Sequence, residues 1–425
     1  MVEGYSHKAS MDRSFESIFI CYVPGLDFRR VDESTCPHVA QLLEKFPSAT
    51  FRTLGTSDSL PTLLTGAYPQ EHELWGPKLK QVANEPSLSS RLVDSLPDIL
   101  TTTFQCFLHV VSKPIDLAGI PPRRRRNFEM KFFKHIKTRD IDNVTGPING
   151  MPSLFSVVGS QRSRFVYLGR LNGLHKWLPR LAAEGHAIEM VEIHCLDQLQ
   201  HWMSDQEERI LEAYRLVDDL VLKLHQKCRL NGRAFLFLCD HGTESVKGTV
   251  DVVRGLKSLD VPKAEYDYFI ENTRARFWLH TPRSRTKIME FLESLPQGRA
   301  LKWEDLSRFG VRFDNADFGD VYLYLEPGYI IFPNDFEHPL ASRVLALVDW
   351  QQRPRFWNPR HRSDHGYLPD ADSEIGFMIL ADEDFAATSD EVQMVDFAPS
   401  VLALLGEKAT DTMRGRPVFR SRSSS

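Results

Sequence analysis

Acidic and imidazole side chains recur at three places along this 425-residue chain in patterns that suit a divalent cation. The run Phe235-Leu-Phe-Leu-Cys-Asp240-His241-Gly242 is an apolar stretch ending abruptly in an acid, a base and a glycine. In open α/β sheets ligands gather at the carboxyl ends of strands, and carboxylate and imidazole are ordinary zinc ligands. A second Asp-His-Gly, in Ser363-Asp364-His365-Gly366-Tyr367, follows a polar, proline-rich loop and precedes the apolar run Gly376–Leu380. The third place is Val191-Glu-Ile-His-Cys-Leu-Asp197-Gln-Leu-Gln-His201, where an apolar run meets a D-x-x-x-H spacing. On a helix, residues i and i+4 share a face, so Asp197 and His201 could grip one ion. A capping Asp beside a surface His has the same spacing, and a lone Asp-His-Gly is also a common surface pair.

Hydroxyls and cations complete the inventory. Thr56, Ser57 and Ser59 cluster ahead of a short apolar run, followed by Thr65-Gly66 and then Pro69-Gln-Glu-His72. Arg123 to Arg126 follow two prolines, with Lys131, Lys134 and Lys137 beyond them, and read either as a solvated loop or as a lure for a polyanion. Arg353, Arg355, Arg360 and Arg362 lie just before His365, better placed to meet a phosphate bidentately. Phe356 and Trp357 among them suit either loop packing or stacking on a ring. His72, His194 and His338 read as structural or surface residues.

The elements that would position these groups alternate. Apolar runs at Ile18–Val23, Phe165–Leu168, Ile188–Ile193, Ala234–Cys239 and Gly376–Leu380 read as buried parallel strands. Between them, Glu207 to Lys227 places Ile210, Tyr214, Val217, Val221 and Leu224 on one helical face. A second helix is expected after Thr65 and a third at Phe397–Leu405, ended by Gly406. Strand alternating with helix implies an α/β layer architecture. Residues 266–345 differ: a helix near Arg285–Leu295 and a hairpin turning at Pro327-Gly328 suggest a smaller inserted subdomain.

Taken together and in this order, the motifs resemble the alkaline phosphatase superfamily, in particular its nucleotide pyrophosphatase and type I phosphodiesterase branch. That branch carries its nucleophile nine residues before a Thr-Gly, ahead of Pro-x-x-His, and then presents D-x-x-x-H, Asp-His-Gly and a last His-Gly. The resemblance spans about residues 17–406 and puts Thr56 at the nucleophile position, with the register resting on Thr65-Gly66. It implies a central mixed, mostly parallel sheet flanked by helices on both faces. It divides the chain into a lead (1–16), a core (17–265, with a lid at 77–150), the inserted subdomain (266–345), a second core part (346–419) that carries the last histidine, and a tail (420–425). It implies two divalent metal ions, zinc or else manganese. Asp197, His201 and His365 would hold one, and Asp240, His241 and the Thr56 oxygen the other. Such a pair, roughly 3.5–4 Å apart, clamps the attacking and leaving oxygens of an in-line displacement at phosphorus. The function implied is hydrolysis of phosphate diesters or related phosphoryl or sulfuryl esters, with a small phosphorylated molecule as substrate. The alternatives are a binding protein that kept the fold and lost catalysis, or a phosphomonoesterase, phosphomutase or phosphonate hydrolase of the same superfamily.

Two positions depart from the pattern. Ile20-Cys-Tyr-Val-Pro24-Gly25-Leu-Asp27 has proline where the family has a metal-binding Asp. Asp27, if the turn folds it back, and Asp58 are the candidate substitutes. Second, the phosphodiesterases have an Asn a few residues after the Pro-x-x-His that donates to a phosphate oxygen. Here the segment reads Trp75-Gly76-Pro77-Lys78, and Lys78 offers a charge in place of the amide.

Composition bounds the rest. A net charge of -5 speaks against a nucleic-acid polymer as partner. The polar start Met1 to Glu16 lacks the apolar core of a secretory signal. No run of about 18 apolar residues suggests a membrane span. Six cysteines without a C-x-x-C pair fit free thiols in a reducing compartment, so a cytoplasmic location is expected. The oligomeric state is not legible.

Overall fold

Six strands carry the molecule: β1 (Ile18–Tyr22), β2 (Ser48–Arg52), β3 (Ser163–Tyr167), β4 (Ile188–Glu192), β5 (Ala234–Cys239) and β6 (Ile375–Leu380). The computed structural model describes residues 14–56, 58–75, 145–171, 173–182, 185–313, 318–333 and 355–422, with Arg343 and the backbone of 80–81 and 128–129. The strands form one sheet in the order β2-β6-β5-β1-β4-β3. β1 pairs in parallel with β4 and with β5, and β3 in parallel with β4. β1, β4 and β5 are buried along their whole length. Burial on both faces explains why these runs read as continuously apolar.

Two features of this sheet differ from the expectation. β6 runs antiparallel to both β2 and β5, with Met378 opposite Ala49 and Leu238. An apolar run has no direction written in it, so strand sense cannot be read from composition. β2 was not foreseen: in Ser48-Ala-Thr-Phe-Arg52 only Ala49 and Phe51 are buried, the alternation of an edge strand.

Helices cover both faces. On one lie α1 (Pro37–Lys45), α3 (Cys195–Met203) and α4 (Glu207–Leu230), with Ile210, Tyr214, Val217, Val221 and Leu224 of α4 buried against Phe19, Cys21 and Phe237. On the other lie α2 (Leu60–Thr65) and α5 (Phe397–Leu404), packed on Ile20, Leu236 and Met378. α2 ends at Thr65 instead of following it. Gly66 ends it in the left-handed region (φ +60°), where a Cβ would lie 3.1 Å from Pro399, and only a single turn, Pro69–His72, comes after.

A second sheet, of four antiparallel strands in the order Tyr266–Ile270, Arg274–Leu279, Val321–Leu325, Gly298–Leu301, is backed by the helix Pro282–Glu293. The chain does turn at Pro327-Gly328, with Tyr329 N–H bonded to Glu326 O at 3.0 Å. No hairpin forms, because both edges of Val321–Leu325 are already taken. Tyr329–Ile331 pairs in parallel with Gly248–Val250 instead.

His72 shows how tightly the α2 side is closed. It is fully buried, its Nε2 lies 3.1 Å from Thr62 Oγ1, and its Nδ1 accepts the Leu74 N–H at 3.1 Å. Burial pushes its pKa down to about 3. The unfolded chain therefore takes up this proton near pH 6.5, whereas the folded chain resists until about 3. The neutral imidazole's contribution is complete above pH 6.5 and is lost as pH falls. Between pH 6 and 4 the urea stability of wild type should drop more steeply than that of His72→Gln, by about 1.4 kcal/mol per pH unit. Parallel slopes would show that His72 titrates normally.

Candidate metal centre

Because β1, β4 and β5 are parallel and in register (Tyr22 opposite both Glu192 and Leu238), their carboxyl ends open on the same edge. The segments leaving that edge carry Pro24-Gly25, His194 to Asp197, and Asp240 to Gly242. The antiparallel sense of β6 brings its amino-terminal end to the same place, with Phe377 opposite Cys239. Ser363 to Tyr367 therefore arrives there too.

Asp197 sits in the first turn of α3 and His201 one turn on, Oδ1 to Nε2 3.5 Å. His365 Nε2 approaches the same Oδ1 at 3.7 Å. Asp240 Oδ2 is 3.3 Å from His241 Nε2 and accepts the Tyr22 hydroxyl at 2.7 Å. The His241 and His365 rings stack 3.6 Å apart at 15°, which joins the two halves. Asp197, His241 and His365 have donor atoms within 4.8 Å of one another, and so do His201, Asp364 and His365. Five side chains spread over 169 residues thus share one pocket. All are buried except His201, which is slightly exposed.

The donors are prepared for a cation. His201 Nδ1 lies 3.0 Å from Ser363 O and His241 Nδ1 2.9 Å from Gly242 O. A carbonyl accepts only from an N–H, so each ring spends its Nδ1–H on the backbone and directs its Nε2 toward the carboxylates. Asp197 Oδ1 and Asp240 Oδ1 are buried with no hydrogen-bond partner among the described residues, an arrangement that is expensive unless something else satisfies them. Three imidazoles and two carboxylates with orphaned oxygens fit a zinc-like ion. Burial by itself would raise the Asp197 carboxyl, but His201, and then His365 and His194, hold it well below the usual range. Burial lowers His201, but Asp197 and Asp364 outweigh it and raise its pKa to about 10. Burial and the neighbouring His241 push His365 well down.

The turn before Asp27 is built around this pocket. Gly25 has φ +75°, and a Cβ there would lie 2.9 Å from Asp197 Cβ and Oδ1. Its carbonyl accepts the Gln200 amide at 2.7 Å. Glu374, fully buried, accepts from Gly366 N (2.7 Å), Tyr367 N (3.1 Å) and Thr53 Oγ1 (2.6 Å). It ties the His365 loop to the chain that leads to Thr56. Thr56 is buried, and its Oγ1 accepts the Asp58 N–H at 3.2 Å and lies 3.5 Å from Arg274 Nη2.

Other candidates stand elsewhere. Asp27 is engaged by Arg29 and lies beside Gly242, where a Cβ would come 2.7 Å from its Cγ. Its Oδ1 accepts the Arg29 backbone N–H (3.0 Å) and Nε–H (2.9 Å), and Arg29 Nη2 pairs with Oδ2 at 2.6 Å. It caps the turn Phe28–Arg30, which occupies its carboxylate with Arg29. Asp58 contacts Thr56 through its backbone. Arg362 faces Asp205 (3.4 Å) past the end of α3, beside Arg355, and only its backbone N–H, bonded to His201 O at 2.7 Å, touches a candidate ligand. Arg360 is half-buried, its Nε without a partner among the described residues. Lys78, Arg123 to Arg126, Lys131, Lys134, Lys137, His338, Arg353 and most of the lid segment lie outside the described residues. His194, read as structural, stands 3.0 Å from Glu192 and 3.8 Å from Asp197. Asp364, Glu374, Tyr22 and Arg274 were missed. Only Asp364 carried a signal, as the first letter of the second Asp-His-Gly.

The sheet order, the helices on both faces and the second small sheet are the architecture of an alkaline-phosphatase-like α/β fold. Solved structures match it closely. Murine ectonucleotide pyrophosphatase/phosphodiesterase 5 superposes with a TM-score of 0.61 at 10% identity, covering 93% of this chain and 96% of that one. An inactive Thr-to-Ala form of the murine protein in complex with AMP gives 0.61 at 11%, and the human protein 0.55 at 12%, with the same coverage. At such identities the likeness is one of fold. No family model and no curated protein matches the chain. No described helix is long and apolar enough to cross a membrane, and the five described cysteines are free and buried.

Zinc added to chelator-treated protein should raise its melting temperature by several degrees. Asp197→Asn should lose most of that rise. An equal rise in wild type and variant, by scanning calorimetry, would remove Asp197 from the ligand set.

Proposed function

We propose that this chain is a metal-dependent hydrolase of phosphate diesters, of the nucleotide pyrophosphatase/phosphodiesterase kind, with Thr56 as its nucleophile. The observation that carries the reading is the convergence of Asp197, His201, Asp240, His241 and His365 around two buried carboxylate oxygens that lack hydrogen-bond partners among the described residues. Asp197, His201 and His365 would hold one ion, and Asp240 and His241 the other. Zinc suits the imidazole-rich set, with manganese the alternative. Such ions supply Lewis acidity and favour the alkoxide of a threonine hydroxyl.

The chain's own residues do the rest. The turn at Gly55, where Arg274 and Tyr324 both bond the carbonyl, fixes the backbone that presents Thr56. Thr56 Oγ1 forms a bond to phosphorus, the bond to the leaving oxygen breaks, and an alcohol departs with the proton. Water then attacks the phospho-threonine, giving a phosphate monoester and restoring the hydroxyl. Glu374 and Thr273 hold the His365 loop through both steps: the Glu374 carboxylate accepts the N–H groups of Gly366 and Tyr367, and the Thr273 hydroxyl donates to the carbonyls of His365 and Gly366 at 3.0 and 2.9 Å. We place the substrate among small phosphorylated molecules and the protein in a reducing compartment, a reading the buried free thiols support.

Pro24 and the engagement of Asp27 by Arg29 favour a second reading, a binding protein with an incomplete second ion site. Turnover separates the two. Zinc-loaded wild type should hydrolyse bis-p-nitrophenyl phosphate faster than p-nitrophenyl phosphate. Thr56→Ala should lower that rate by about 10³-fold or more, with metal content and melting temperature retained. Bound zinc with no turnover of either ester would leave the binding reading.

A further inference from the structure

A buried ion cluster from the small sheet stands beside Thr56. Glu271, in the turn before the strand Arg274–Leu279, meets Arg274 Nε at 2.6 Å and Nη2 at 2.8 Å, and Arg276 Nη2 at 3.3 Å. Both guanidinium groups lie over the indole of the buried Trp75, 5.0 and 4.8 Å from its centroid. Burial would neutralise Glu271, but Arg274 and then Arg276 keep it ionised. Glu271 and, more weakly, the buried Glu374 offset the Arg274 charge, and a guanidinium held in the interior is costly unless anions meet it.

Arg274 turns that charge toward the nucleophile. Its Nη1 donates to Gly55 O, and its Nη2 lies 3.5 Å from Thr56 Oγ1. A guanidinium has five N–H donors. Glu271 takes two, Gly55 and Thr56 one each, and among the described residues one Nη1 hydrogen is left. A phosphorus atom about to be attacked sits about 3–3.5 Å from its nucleophile, so its non-bridging oxygens come within reach of this same group. Trp75 stands in the segment where the phosphodiesterases have their amide donor, yet its Nε1–H is spent on Leu54 O at 3.1 Å.

We propose that Arg274 is the phosphoryl-oxygen donor of this site, and that its guanidinium, braced by Glu271 on the face of Trp75, replaces the absent amide. The donor comes from the small sheet, and the segment after His72 supplies the surface it rests on. This rests on Thr56 being the nucleophile. Arg276 shares Glu271 and Trp75 but donates to Trp75 O, away from Thr56, and so serves as the internal control.

The test uses the full chain. Inorganic phosphate is titrated calorimetrically into metal-depleted protein, and zinc-loaded protein is assayed with bis-p-nitrophenyl phosphate. Arg274→Gln should weaken phosphate binding at least tenfold and lower kcat by about 10²-fold. Arg274→Lys, which keeps the charge and loses the fork, should fall between Gln and wild type in both. Arg276→Lys should stay within twofold of wild type. If Arg274→Gln does not fold, the two lysine variants decide. Equal phosphate affinities in Arg274→Lys and Arg276→Lys, or no phosphate binding by wild type, would overturn the proposal. Undiminished hydrolysis by Thr56→Ala would instead remove the nucleophile, while the phosphate affinities still report on Arg274.

Discussion

Everything at the open edge of the sheet answers to one electrostatic problem: Asp197 and Asp240 are buried, each with an oxygen that has no hydrogen-bond partner among the described residues. Water would solvate such oxygens, and a protein interior does not. Imidazoles compensate in part, and the compensation is uneven. His201 is held cationic by two carboxylates, whereas His365, stacked on His241, is kept neutral. Two imidazolium rings 3.6 Å apart would repel, so the pair cannot both carry protons. The result is a cluster in which buried carboxylate oxygens face imidazole nitrogens, a donor set that suits a cation.

Secondary structure delivers these groups, and tertiary contacts hold them still. Parallel pairing of β1, β4 and β5 aligns three strand ends, and the antiparallel β6 adds the fourth segment from the opposite direction. The small sheet then acts as a bracket. Thr273 grips the carbonyls of His365 and Gly366, while the adjacent Arg274 grips Gly55 and reaches Thr56. Two neighbouring residues at the start of one strand thus set the distance between the Thr56 loop and the last histidine.

Much of this was legible in the sequence, for physical reasons. Strands buried on both faces announce themselves as apolar runs, and the stripe on Glu207–Leu230 follows from helical spacing. The Asp-His-Gly and D-x-x-x-H motifs were visible because the residues of each are local. What stayed hidden was non-local or directional. The sense of β6 depends on where the chain has been before it. Asp27 was drawn to Arg29, two residues away, by a contact that competes with any role in the pocket. Arg362 was drawn in the same way to Asp205. Glu374 and Arg274 are polar letters inside or beside apolar strands, and only the packed structure shows which loops they hold.

The reversed strand also governs the order in which the chain can mature. β6 separates β2 from β5, so the segment near residue 50 has no neighbour in the sheet until residues 375–380 have been made. During synthesis, which proceeds from the amino terminus, β1, β3, β4 and β5 can assemble first, with β5 left as a raw edge. Closing that edge and supplying His365 are the work of the same late stretch of polypeptide. A ribosome stalled before it would release a nearly full-length product with an adhesive border and without the histidine that completes the cluster.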